Sequence, residues 1–278
     1  MTTNKFHIRR IMVALDGSPH SLAALEAAAD LAALLQAELH GVFVEDINLL
    51  RLAQLPFAHE VRAHTATTEK LELAHMQRQL RLQAAQAQAD LERMAAKRAL
   101  AFTFRVAQGA VSAELLAAAL EADLLALGRV GRQGQRRQLG STARTAVSKS
   151  ARTILLMRPD VALHRPILTI YDGSPGAERA LDVAGYLAEE NGRLRILIWA
   201  TDKEQAASYQ ETITRQFADS NLAIEYRRLR SPDAANLAYL LRLAGPGLLI
   251  LNDTDSTLPP ETVHTLLEEL DYPILLIR

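Results

Sequence analysis

The chain has 278 residues, of which 49% are apolar, 5% aromatic and none cysteine, and its 31 basic and 32 acidic residues leave a formal charge of −1. That length suits two domains, and the apolar share excludes general disorder. The charge balance argues against a nucleic-acid coat or a polybasic membrane binder, and the absence of thiols excludes disulfides, thiolate nucleophiles, zinc–thiolate sites and iron–sulfur clusters. Met1–Arg10 has no apolar signal-peptide core, and no apolar run reaches the ~18 residues of a membrane helix. The expectation is a soluble, cytoplasmic protein without nucleic-acid or membrane partners.

In chain order, Ile11–Leu15 reads as a strand and Ser18–Gln36 as a helix with Pro19 in its first turn. Leu39–Val44 follows as a strand, Glu69–Leu100 as a long helix and Ala101–Val106 as an alternating strand. A helix capped by Ser112 runs through Ala122, then come a buried strand at Leu124–Leu127, a loop, a helix at Ser141–Ser150 and a strand at Thr153–Met157. The same order then repeats: Ile167–Tyr171, Gly176–Glu190, Leu194–Ala200, Glu204–Ala218, Ala223–Leu229, Asp233–Leu243, Leu248–Leu251, Glu261–Leu270 and Ile274–Ile277. Both copies open on an apolar run and Asp-Gly-Ser-Pro, at Asp16–Pro19 and Asp172–Pro175. Both close alike, Thr153–Arg158 matching Pro273–Arg278.

The expected architecture is therefore α/β, two tandem doubly wound five-stranded parallel sheets, with domains at 1–160 and 161–278. Asp16 to Ile154 spans 138 positions and Asp172 to Ile274 spans 102. The first copy's surplus of 36 residues falls between Leu49 and Leu100, where Leu49–Phe57 is expected to form a lid over a ligand. The last strands of the copies, both short and apolar, are expected to cover each other's edges across a pseudo-twofold axis.

The stretch after the fourth strand carries the most chemistry. Gly128, Gly131, Gly134 and Gly140 let backbone approach a ligand, and Ser141 and Thr142 open a helix whose start favours an anion. From Leu124 to Pro159 there are eight bases and no acid. These features point to phosphate; the alternative is a solvated loop. The stretch is neither a P-loop nor a G-x-G-x-x-G fingerprint after the first strand, so a nicotinamide-binding site is not expected.

The chain resembles a tandem universal stress protein. Val13-Ala14-Leu15-Asp16-Gly17-Ser18 matches that family's first strand and turn. Gly128-x2-Gly131-x8-Gly140-Ser141 matches its glycine loop, one residue shorter than usual, and Thr153 stands where proline is usual. The resemblance implies sheet order 3-2-1-4-5, an adenine-nucleotide α-hydrolase-like Rossmann-type fold, and binding of ATP, ADP or AMP, with or without Mg²⁺. It implies that Asp16 serves the ribose or adenine side and that Ala14 and Val44 line the base pocket. Leu127 and Gly128 pass under ribose and phosphates, while Gly131, Gly140, Ser141 and Thr142 donate to phosphate oxygens. Arg129 and Arg132 are further cations, assigned to phosphate by their charge. Asp16 equally suits a turn or helix cap.

The second copy lacks the signature. It has no glycine from Leu248 onward, and Asn252–Tyr272 holds six acids and no Lys or Arg, which opposes phosphate. Asp253 and Asp255 suit capping better than a metal site. His59, His64 and His75 do not stack on one helix face. No general base for a chemical step is visible. The expected function is a stress-response regulator with one nucleotide site in the first domain and at most slow turnover. Its rivals are a slow ATP-hydrolysing or adenylyl-type enzyme and an interaction scaffold without ligand. The protein partner is not readable, and a homodimer of the pseudo-dimeric chain stays open.

Overall fold

The computed structural model describes residues 7–55, 59–62, 67–70, 72–130, 139–159, 163, 166–189, 192–229, 233–245, 247–270 and 272–278. The first half runs β1 (Arg10–Leu15), α1 (Pro19–Leu35), β2 (Glu38–Asp46), α2 (Ile47–Ala53), β3 (His59–Arg62), β4 (Thr67–Lys70), α3 (Leu73–Lys97), β5 (Phe102–Gly109), α4 (Val111–Ala119), β6 (Leu124–Gly128), α5 (Ser141–Lys149) and β7 (Thr153–Met157). The second runs β8 (Ile167–Tyr171), α6 (Pro175–Glu189), β9 (Arg193–Trp199), α7 (Lys203–Gln216), β10 (Ala223–Leu229), α8 (Ala234–Ala244), β11 (Leu248–Asn252), α9 (Pro260–Glu269) and β12 (Ile274–Ile277).

Ten strands form one sheet in the order β10-β9-β8-β11-β12-β7-β6-β1-β2-β5. Each flank reads 3-2-1-4-5 in its own chain order, as two repeated units require. Apolar strands buried on both faces, such as Leu124–Leu127 and Ile154–Met157, demand helices on both sides. Residues of α1, α3, α6 and α7 supply one core layer, and those of α4, α5, α8 and α9 the other.

Sequence sets the helix ends locally. Ser18 caps α1 by accepting the Ser21 N–H at 3.1 Å, Pro19 fills the first turn, and Gln36 stops the helix in the left-handed region at φ 53°. The helix expected from Glu69 begins instead at Leu73, because Thr67–Lys70 pairs antiparallel with His59–Arg62. β-Branched Thr67 and Thr68 suit a strand, and the buried stripe Leu80, Ala84, Ala87, Leu91 starts only in the second turn of α3. The expected lid segment is α2, capped by Asp46 and buried at Leu50 and Ala53; its end at Phe57 lies outside the described residues.

The two halves meet where expected. Within the ten-stranded sheet β7 and β12 pair antiparallel, with Leu156 opposite Ile274, Leu155 opposite Leu275 and Ile154 opposite Leu276. All six side chains are at most 1% exposed. This pair sets α5 beside α9, and each helix end then receives an arginine from the other half. The Arg278 guanidinium donates to the Val147 and Ser150 carbonyls at the end of α5 and pairs with Asp253 at 2.7 Å. Arg129 donates to the Glu268 carbonyl at the end of α9. A cation suits the orphan carbonyls of a helix C-terminus.

Arg278 is therefore expected to matter more than the half-exposed Arg144–Glu268 pair at 3.1 Å beside it. Arg278→Leu, which leaves Asp253 and two carbonyls without their partner, should lower the unfolding free energy by roughly 2–4 kcal/mol. Arg144→Leu should cost less than about 1 kcal/mol. Urea titration of both variants checks the order; equal losses would contradict the assignment of the seam to Arg278.

Candidate functional site

At the carboxyl ends of the first-half strands lies a cleft of about 410 Å³. Its walls include Ala14, Asp16, Val44, Leu127, Gly128, Gly140, Ser141 and Thr142, so eight of the residues singled out from sequence converge on one space. Gly131 and Arg132 lie outside the described residues. Arg129 does not line the cleft: its side chain is buried, 3% exposed, and turns to the α9 carbonyl across the seam. Its assignment to phosphate is corrected on that ground. The basic character of this stretch serves the seam as well, since Arg144 also pairs with Glu268 of the acidic second half.

The first turn shows why Asp-Gly-Ser-Pro recurs. The Asp16 carboxylate accepts the Ser18 N–H at 2.9 Å, and Gly17 bridges them at φ +72°, a conformation that favours glycine. Asp16 is thus a turn residue and a cleft residue together. Gly128 is required for packing: a Cβ there would come within 2.8 Å of the His20 carbonyl carbon and 2.9 Å of the Ser21 nitrogen. Only a bare backbone lets the end of β6 pass the start of α1.

The cleft has two unlike ends. At one, Gly140 is the N-cap of α5 and has no side chain to satisfy the N–H groups of the first turn. The Gly140 N–H itself donates to the Arg129 carbonyl at 2.9 Å. Its expected role as a phosphate donor is therefore corrected. What it offers is space, in front of the backbone of Ser141, Thr142 and Ala143. No acid stands in the first turn of α5. At the other end Leu49 of α2, Leu80 and Gln83 of α3, and Val111 and Leu115 of α4 form apolar walls with one amide among them. Here the first turn of α4 carries Glu114, which opposes an anion.

Leu49 opens the segment expected to cover a ligand, whereas Leu80, Gln83, Val111 and Leu115 were not singled out from sequence as cleft residues. Leu80 and Leu115 sit in ordinary apolar stripes, so their place beside a cleft is a product of topology. Gln83 carried a faint signal, a polar residue three positions after a buried leucine and four before a buried alanine.

In the second half the corresponding carboxylate is engaged by the protein. Asp172 accepts hydrogen bonds from the Ser174 backbone at 2.9 Å, the Thr257 backbone at 2.9 Å, and the Ser174 and Thr257 hydroxyls. Tyr209 crosses over it, stacking edge-on against Tyr171 with ring centroids 5.3 Å apart. The acidic loop is closed by its own ion pairs, Asp253 with Arg278 and Asp255 with Arg179.

Burial pushes the Asp172 carboxyl up, but the hydrogen bonds from Ser174 and Thr257 outweigh it and hold the group below its ordinary value of 3.8. A lowered folded pKa contributes stability that is complete above the ordinary carboxylate value and is lost as pH falls through the folded one. Asp172→Asn should therefore cost about 1–3 kcal/mol at neutral pH and flatten the fall in stability below about pH 4. Chemical denaturation across pH 2–7 checks both; an unchanged acid limb would contradict the role of the carboxylate.

Comparison with known proteins follows this geometry. The universal stress protein family model matches residues 7–158. A universal stress protein from Archaeoglobus fulgidus DSM 4304 shares the fold with a TM-score of 0.70 and 16% identity, over 97% of this chain and 98% of that one. A functionally unknown protein from Pseudomonas aeruginosa PAO1 aligns with a TM-score of 0.60 and 13% identity, over 97% of this chain and 92% of that one. A universal stress protein in complex with cAMP matches with a TM-score of 0.38 and 21% identity, over 54% of this chain and 97% of its own. No curated protein matches the chain by sequence. With its first-half sequence matched and its strand order that of the fold, the chain belongs to the universal stress protein family.

Proposed function

We propose that the first-half cleft binds one adenine nucleotide, ATP, ADP or AMP, and that the protein is a stress-response regulator whose partner contacts depend on that nucleotide. The observation that carries this reading is the start of α5. A helix N-terminus without a side-chain cap or an acid opens into a ligand-sized cleft. Phosphate at that end would accept from the backbone of Ser141, Thr142 and Ala143 and from the Ser141 and Thr142 hydroxyls. The base would lie against Ala14, Val44 and the apolar far wall.

The second half is assigned a structural part. Its Asp172 is spent on Ser174 and Thr257, and its loop after β11 carries acids where phosphate would sit. Turnover in the first half would be slow. The carboxylates on the described cleft wall, Asp16 and Asp46, each accept a backbone N–H at 2.9 Å, the first holding a turn and the second capping α2. Among the described residues no helix is long and apolar enough to cross a membrane. The cytoplasm, where adenine nucleotides are abundant, is the compartment this reading assigns.

Gly140→Asp tests the reading by separating stability from binding. Gly140 sits at φ −61° and ψ 155°, a conformation open to any residue, and aspartate is a better N-cap than glycine. Its carboxylate would cap α5 and occupy the anion's place. Thermal stability should hold or rise by a few tenths of a kcal/mol, while calorimetric binding of Mg²⁺·ATP, present in the unsubstituted protein, is lost. Unchanged binding by Gly140→Asp would overturn the phosphate assignment. A stable unsubstituted protein that binds no nucleotide, cAMP included, would favour the scaffold reading.

A further inference from the structure

The two unlike ends of the cleft fix which way a nucleotide would lie, and this inference rests on the nucleotide reading. Phosphate goes to the acid-free start of α5 beside β6. The base then reaches over β1 and β2 to the wall made by α2, α3 and α4, where Glu114 and Asp46 would repel phosphate. The polar side chains on the described part of that wall are Asp46 and Gln83. Asp46 is engaged as the cap of α2, accepting the Asn48 N–H at 2.9 Å. Gln83 is half-buried and makes no hydrogen bond with the described residues.

Its amide faces the cleft with part of its surface exposed and has no partner among the described residues to give up, so it is available to a ligand. Gln83 is held on the edge of a rigid stripe, between buried Leu80 and buried Ala87 of α3. Its carbonyl accepts one hydrogen bond and its NH₂ donates, a pattern that matches the edge of adenine. On the Hoogsteen edge the 6-amino group donates to Oε1 and N7 accepts from Nε2. Guanine places an oxygen at the 6 position, and both groups of its Hoogsteen edge accept, so one amide cannot satisfy them in this way.

We propose that Gln83, from the long helix within the first half's surplus, reads the base and makes the site selective for adenine over guanine. It is a specificity residue that would touch the ligand and takes no part in a chemical step. The segment that gives the first half its extra length thereby gains a use: its long helix α3 brings Leu80 and Gln83 to the base end of the cleft.

The test compares Gln83→Leu and Gln83→Glu with the unsubstituted chain, titrating Mg²⁺ complexes of ATP, GTP and purine riboside triphosphate, which lacks the 6-amino group. A bidentate amide–base pair corresponds to roughly 5- to 150-fold in affinity. Gln83→Leu should weaken ATP by at least about fivefold, weaken purine riboside triphosphate, which keeps only the N7 contact, by clearly less than ATP, and erase the preference for ATP over GTP. Gln83→Glu keeps an acceptor for the 6-amino group but loses the donor, so its ATP affinity should fall between the two. Equal weakening of all three ligands by Gln83→Leu would mean a packing role and would overturn the assignment. So would unchanged ATP selectivity. If the unsubstituted chain binds none of the three, the nucleotide reading itself fails and Gln83 with it. Binding with selectivity that ignores Gln83 overturns this inference alone.

Discussion

The antiparallel pairing of β7 with β12 is the constraint on which the rest depends. An apolar strand at a sheet edge must be covered, and here each half covers the other with three residue pairs from which water is excluded. The pairing turns two five-strand units into one sheet and points the carboxyl ends of their parallel strands in opposite directions. It also brings α5 against α9, so the two helix C-termini need counter-charges from across the seam. Arg278 and Arg129 provide them.

That seam explains a charge asymmetry that looks at first like a property of ligand binding alone. The basic α5 region faces an acidic α9 region, and Arg144 meets Glu268 between them. An acid at the second half's helix start opposes an anion there, and hydrogen bonds from its own loop hold Asp172. The two halves thus share a fold and a turn but differ in what their first aspartate meets: Asp16 lines a cleft, while Asp172 is held by Ser174 and Thr257. Nine-residue α5 links the two roles, with its start on the cleft and its end on Arg278.

Much of this was legible in the sequence, because the signals were local or repeated. Asp-Gly-Ser-Pro marks a turn that only a few residue types can make, and its recurrence marked the two units. Apolar runs of strand length marked the strands of the sheet, and the cleft residues at the ends of β1, β2 and β6 were those that the family resemblance implied. What escaped depended on contacts distant in sequence. Arg129 lies in a stretch that reads as phosphate-binding, yet its partner is 139 positions away. The donor role of Gly140 failed because its N–H closes a turn onto Arg129. The hairpin β3–β4 is short and polar, without the alternation that betrays a half-buried strand. Gln83 differs from other helix-surface glutamines only by what the fold sets beside it.

The first-half cleft is open, while in the second half Ser174 and Thr257 hold Asp172, so the proposed reading allows one nucleotide per chain. Native mass spectrometry of the intact chain with excess Mg²⁺·ATP measures this directly, because each occupied cleft adds one nucleotide mass. The account predicts a single added nucleotide per chain that persists as ATP is raised. Two added nucleotides would show that the Asp172–Thr257 contacts do not close the second cleft, and none would remove the nucleotide site from the first.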